Sequence, residues 1–152
     1  MKLFNLALIV AVVLLAVLTG LAVLHPASDQ VPMAIDADRD HYSPAMSSTV
    51  GIGLTPDYPP YVDNRTVIFR WQADYGHFIS WDTPAFKVEN LGNTVYKDDG
   101  KIYWSYLSED EKIARPPVHI ALTMINRTSG AVLGDASLEI GWDDYNSAVV
   151  KA

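Results

Sequence analysis

The chain has 152 residues, with 11 Lys plus Arg against 18 Asp plus Glu, a formal net charge of -7, and no cysteine. Such acidity repels a polyanion, so nucleic acid is not an expected partner. The missing cysteine excludes a disulfide framework, a Cys-ligated zinc or iron–sulfur site, a thiol nucleophile and a lipid-modified N-terminal cysteine.

The first element in chain order is apolar. From Leu3 to Leu24 the residues are almost wholly Leu, Val, Ala and Ile, interrupted by Asn5, Thr19 and Gly20. At 1.5 Å per residue this run makes a helix about 33 Å long, enough to cross a bilayer core. We read residues 1–24 as a transmembrane helix or uncleaved signal anchor, with the membrane as partner of residues 3–24. The alternative is a cleaved signal peptide with Gly20-Leu21-Ala22 at the processing site, although such peptides usually have an apolar core of only about 7–15 residues. Lys2 precedes the run, whereas Asp29, Asp36, Asp38 and Asp40 follow it with a lone Arg39. The positive-inside bias then predicts a single-pass protein of the cell membrane, N-terminus cytoplasmic and C-terminal domain extracytoplasmic.

Residues 25–48 carry Pro26, Pro32, Pro44 and several serines without sustained periodicity, which predicts an extracytoplasmic stalk. Beyond Thr49 the composition changes, since all four Trp and seven of the eight Tyr lie there. The folded domain is therefore expected over residues 49–145, followed by a tail at 146–152.

Within that domain, Val67, Phe69, Trp71 and Ala73 alternate with Arg70 and Gln72, the period of a half-buried strand. The same alternation places Ile102, Trp104 and Tyr106 on one face, then Val118, Ile120, Leu122 and Met124, then Ala136, Leu138, Ile140 and Trp142. Weaker strands are expected at 50–54, 77–81, 86–88 and 94–96. Asp98-Asp99-Gly100 and Asn126 to Gly130 carry turn chemistry, and Pro116-Pro117 marks a strand start where no ladder donor is available. Short strands at this spacing predict an all-β antiparallel sandwich.

Three segments carry a resemblance: Trp71-Gln72-Ala73-Asp74-Tyr75-Gly76-His77-Phe78-Ile79-Ser80-Trp81, Ile102-Tyr103-Trp104-Ser105-Tyr106 and Leu138-Glu139-Ile140-Gly141-Trp142. Over about half the chain they resemble a family of small envelope proteins of archaea and bacteria, many anchored by a lipid or one helix, for which no catalytic residues are known. The resemblance implies an immunoglobulin-like exterior domain, distantly similar to PKD-type modules. Those modules usually carry Trp-Asp-Phe-Gly-Asp where this chain has Trp71-Gln72-Ala73-Asp74-Tyr75-Gly76.

Candidate sites are few. Asp36, Asp38 and Asp40 match the first ligand positions of a calcium loop, but His41 stands where glycine is needed and Ser47 where a bidentate Glu is needed. We therefore expect no metal there, and no cofactor anywhere. Trp71, Trp104 and Trp142 belong to apolar strand faces and are expected in the core. Aromatics and prolines without a clear inward register mark a possible binding surface: Tyr75, His77, Phe78 and Trp81, with the loop carrying Tyr58 and Tyr61 expected beside them. Asn64 and Asn126 head Asn-x-Thr patterns and are possible glycan acceptors.

The reading that follows is a membrane-anchored extracytoplasmic protein, a non-enzymatic binding or structural component of the cell envelope whose partner would be an envelope protein or glycan. One alternative is a small extracytoplasmic hydrolase or metal-assisted enzyme that assembles Asp74, His77, Asp82 and Glu89. Another is an accessory subunit of a membrane complex.

Overall fold

The structure, a computed structural model, describes residues 30–82, 87–98, 100–106 and 116–151, with the side chain of residue 82 outside that set. The expected membrane helix lies outside the described residues. Among those described, no helix is long and apolar enough to cross a membrane.

Eleven strands are present among the described residues: β1 (Ala34–Ala37), β2 (His41–Tyr42), β3 (Ile52–Asp57), β4 (Val67–Ala73), β5 (His77–Asp82), β6 (Lys87–Gly92), β7 (Thr94–Lys97), β8 (Ile102–Ser105), β9 (Val118–Asn126), β10 (Val132–Trp142) and β11 (Ala148–Lys151). They form two antiparallel sheets, one in the order β1-β3-β8-β5-β6 and the other β2-β11-β10-β9-β4-β7. The alternation read from the sequence sets which faces meet. Val67, Phe69 and Trp71 from β4 and Val118, Ile120, Leu122 and Met124 from β9 are fully buried against Ile52, Leu54, Phe78, Ile102 and Trp104 of the other sheet. Trp71 and Phe78 touch across the sheets at 6.2 Å between ring centroids. As expected, Trp104 and Leu122 both belong to this core.

Two boundaries are corrected. The compact unit begins at Val31, inside the expected stalk. β1 pairs with β3, from Ala34 opposite Asp57 to Ala37 opposite Leu54, and Tyr42 on β2 is buried. Similarly, the expected tail contains β11, whose Ala148 is buried and pairs with Trp142 and Tyr42. These strands have two to four residues and carry no alternation of large apolar side chains, so no repeat stands out. Outward acids on an edge strand also look like a solvated tether in sequence.

The sandwich has two ends. We call crown the end formed by residues 43–51, 74–76 and 143–147, and base the end formed by Val31, residues 58–66, Asp98, Gly100 and residues 126–131. The β9–β10 hairpin at the base closes as its sequence suggested: the Asn126 side-chain oxygen accepts the Thr128 and Ser129 amides, and Gly130 adopts φ +72°.

Candidate functional site

At the crown, aromatics from both sheets pack against one another in a cluster. Trp142 lies 5.0 Å from Tyr106, 6.1 Å from Tyr75 and 6.5 Å from Trp104, and Tyr42 lies 5.9 Å from Tyr106. The contacts of Trp142 with Tyr106 and Tyr75, and of Tyr42 with Tyr106, are edge-to-face, the arrangement the ring quadrupole favours. Polar tips are satisfied by backbone. Trp104 Nε1 donates to the Tyr75 carbonyl at 2.9 Å, Trp142 Nε1 to Pro116 at 2.8 Å, and the Tyr106 hydroxyl to Asn146 at 3.1 Å. The Tyr42 hydroxyl donates to the Val50 carbonyl and meets the Ser105 hydroxyl at 3.0 Å. Gly76 makes this packing possible: at φ +74°, a Cβ there would sit 2.5 Å from the Ser105 carbonyl and 2.7 Å from Trp104 Nε1.

Two turns rise from that cluster. Asp143 Oδ1 accepts the amides of Tyr145 and Ser147, and Asn146 takes φ 59°, which asparagine tolerates better than most residues. Tyr145 on this turn is 86 % exposed. In the neighbouring turn Ser47 donates its amide to the Ser43 carbonyl and accepts the Ser43 amide on its hydroxyl, leaving Met46 83 % exposed. The turns are neighbours because β2 and β11 pair just below them, Tyr42 opposite Ala148. Neither residue belongs to the binding surface expected from the sequence, since a lone Met or Tyr between small and polar neighbours has no periodic signal.

The expected surface is divided. Tyr75 and His77 lie at the crown. Tyr58 packs on Phe69 at 5.2 Å at the base, where Tyr61 is 75 % exposed. The loop carrying Tyr58 and Tyr61 is therefore not beside Tyr75, because β3 and β4 carry it to the opposite end. Phe78 is fully buried and cannot form part of a surface: it occupies the inward position of β5, opposite Trp104. His77 occupies an outward position opposite Ser105, and partial burial pulls its imidazole pKa below the ordinary value. Trp81, half-buried on the outer face, meets Tyr103 edge-on at 5.7 Å. Pro32, Met33, Tyr58, Pro59 and Pro60 line an open groove of about 480 Å³ at the base.

The acids are dispersed. Asp74 accepts the His119 backbone amide and faces its Nδ1 at 3.1 Å, which places it on the sheet opposite His77. Glu139 continues that row, 3.9 Å from His119 Nε2 and 2.8 Å from Lys151 Nζ, whose hydrogen bond and charge lower the Glu139 pKa. Glu89 is exposed on β6 opposite Ser80. Asp38 is held by Arg39, Lys101 and the Gly53 amide. Burial pushes its pKa up, but those hydrogen bonds outweigh it and hold the carboxyl at about 2. Asp36 points outward from β1, and Asp40 pairs with His41. The three aspartates thus have separate partners or solvent, and among the described residues no group of three His, Asp or Glu could hold a metal ion. Asn64, exposed, and Asn126 both lie at the base, where the Arg127 amide donates to the Thr66 carbonyl.

Comparison of the chain with protein-family models, with curated proteins and with solved structures finds no match.

Proposed function

We propose that this chain is a membrane-anchored extracytoplasmic β-sandwich of the cell envelope that binds a protein partner through its crown, without catalysis. The observation that carries the binding role is the pair Tyr145 and Met46, large, exposed and presented on hydrogen-bonded turns above the packed aromatic cluster of the crown. Tyr145, with two side-chain torsions, contributes contact area while losing little freedom on binding, and Met46 adds an adaptable apolar contact beside it. The anchor rests on the apolar run from Leu3 to Leu24.

The immunoglobulin-like reading draws support from strand order. Taking β1, β3, β4, β5, β8, β9 and β10 as strands A to G, one sheet contains A-B-E-D and the other G-F-C, the arrangement of a constant-type domain. β2, β6, β7 and β11 are additions to it. Fold of this kind serves many activities, so the function rests on the crown and not on the topology.

The test is site-specific photo-crosslinking of the full chain in its native membranes, with the probe at position 145, 46 or 61. A discrete protein adduct from 145 and 46 but not from 61 is expected. No adduct, or the same adduct from all three, would overturn the crown as the contact surface. Sedimentation with membranes after alkaline washing tests the anchor separately: a soluble mature form beginning near Val23 would remove it.

A further inference from the structure

The tripeptide Asn-Arg-Thr occurs twice in the chain, at residues 64–66 and 126–128. Far apart in sequence, the two copies meet at the base. Pairing of β4 with β9 sets Val67 opposite Asn126, and the Arg127 amide donates to the Thr66 carbonyl at 2.8 Å. As sequence, the two are equivalent acceptors for an N-linked sugar. The fold makes them different.

At residues 126–128 the asparagine carboxamide is part of the turn. Asn126 Oδ1 accepts the Thr128 amide at 3.0 Å and the Ser129 amide at 2.9 Å. Two amide donors can bond only to the oxygen, so they fix which branch of the planar group faces the hairpin. The nitrogen, Nδ2, is the other branch and is directed away from both amides. The main chain is held as well, since the Asn126 amide donates to the Ala131 carbonyl and its own carbonyl accepts the Gly130 amide, each at 2.8 Å. The middle side chain is turned back on β4: Arg127 Nη2 donates to the Val67 carbonyl at 2.9 Å and meets Asp98 at 2.8 Å. Thr128 and Ser129 are exposed, and Asn126 is partly so. A substituent on Nδ2 would leave every one of these hydrogen bonds in place.

At residues 64–66 the same tripeptide forms a single 3-10 turn. Here the side chain that closes the turn belongs to Asp63, which accepts the Arg65 amide at 3.0 Å. The Thr66 hydroxyl donates back to the Asp63 carbonyl at 2.8 Å. That bond commits the hydroxyl that an acceptor tripeptide must present.

We propose that Asn126 is an N-glycan acceptor of the folded domain, used in preference to the identical tripeptide at Asn64. The inference rests on the extracytoplasmic reading, which places the domain where an activated sugar would be met. In the transfer, Nδ2 attacks C1 of an oligosaccharide carried on a membrane lipid phosphate. The C1–N bond forms as the bond from C1 to the phosphate oxygen breaks, the electron pair leaves with the phosphate, and the Nδ2 proton passes to a basic group of the transferase. A bulky hydrophilic chain so placed would cover the base and leave the crown bare for its partner.

The test is peptide mass spectrometry of the full chain from its native membranes, scoring sugar-bearing and bare peptides at each asparagine, for the wild type, Thr128→Val and Thr128→Ser. A membrane-impermeant amine reagent applied to intact cells reports separately whether the domain lies outside. Asn126 is expected to carry sugar in most copies and Asn64 in few. Thr128→Val should abolish the modification at Asn126, because it deletes the hydroxyl but keeps the amide that Asn126 accepts, whereas Thr128→Ser should retain it. Position 128 is exposed, so an unchanged unfolding midpoint for Thr128→Val separates a lost acceptor from a lost hairpin. A domain lying outside with Asn126 bare, with equal occupancy at both asparagines, or with a glycan indifferent to Thr128→Val would overturn this proposal alone. A domain labelled only after the cells are opened would overturn the extracytoplasmic reading and this proposal with it.

Discussion

The crown and the base are built from the same residue types, yet their aromatics do different work. At the crown, Tyr42, Tyr75, Trp104, Tyr106 and Trp142 touch one another, and the indoles and the Tyr42 and Tyr106 hydroxyls bond to backbone carbonyls. At the base, Tyr58 covers Phe69, Tyr61 stands in solvent and prolines line an open groove. The difference teaches that an exposed side chain is informative through its support. Tyr145 and Tyr61 are similarly exposed, but Tyr145 stands on a turn closed by two amides on Asp143 and placed over packed rings. A hot-spot residue needs such preorganisation.

The largest expected effect comes from removing the centre of the crown. Trp104→Ala should destabilise the domain by about 3–5 kcal/mol, through lost burial and the cavity left behind. In a domain whose total is about 5–15 kcal/mol, the shift in chemical-denaturation midpoint will be large. A wild-type midpoint would mean that the crown cluster does not hold the fold. Gly76→Ala should follow at about 1–3 kcal/mol, because alanine at positive φ is strained and its methyl would press on the Ser105 carbonyl. The counterpart at the base, Gly130→Ala, has open space around its Cβ and keeps only the φ cost, about 1 kcal/mol. Equal losses at the two glycines would erase the contrast between the ends.

Between the ends, Asp38 supplies a pH signature. Its folded carboxyl titrates near 2, below the ordinary 3.8. The unfolded chain therefore binds the proton more readily, and the stability from Asp38 is complete above about pH 4 and lost as the pH falls through about 2. Asp38→Asn should flatten that part of the acid unfolding curve and cost about 1–2 kcal/mol at neutral pH, as expected for charge-assisted bonds that are partly solvated. A curve identical to wild type between pH 4 and 2 would show the carboxyl to be unshifted.

The smallest effects on stability should come from the exposed tyrosines. Tyr145→Ser and Tyr61→Ser should each stay within about 0.5 kcal/mol of wild type by thermal melting. Their difference should appear only in binding, where Tyr145→Ser removes crosslinking from position 46 and Tyr61→Ser does not. If Tyr61→Ser alone removes it, the base is the contact surface.

Much of this was legible in the residues. Period-two alternation marked β4, β8, β9 and β10, and the burial of Phe69, Trp104, Leu122 and Ile140 follows from it. β1, β2 and β11 escaped because they are short and lack the alternating large apolar and aromatic residues that marked the four-residue β8. In the sequence Phe78 reads as surface because the aromatics from Tyr75 to Trp81 show no clear inward register, yet alternation on β5 turns it inward opposite Trp104. The candidate acids were grouped by nearness in sequence. A single turn, residues 74–76, carries the chain from one sheet to the other and leaves Asp74 facing His119.

By itself, the sequence determined what depends on composition and local period: a long apolar run, an acidic cysteine-free domain, an all-β sandwich and the identity of most core residues. Apolar alternation and turn residues act within a few positions, so they are readable without neighbours. Only the tertiary structure decided what depends on residues far apart in the chain. It set Tyr58 and Tyr75 at opposite ends, joined Tyr42 to Ser105 and Tyr106 to Asn146, and brought the two Asn-Arg-Thr tripeptides together at the base. Strand order is not encoded in any one strand's pattern, because each apolar face is satisfied by any equally apolar face. The choice among partners is made by the packing of all of them at once.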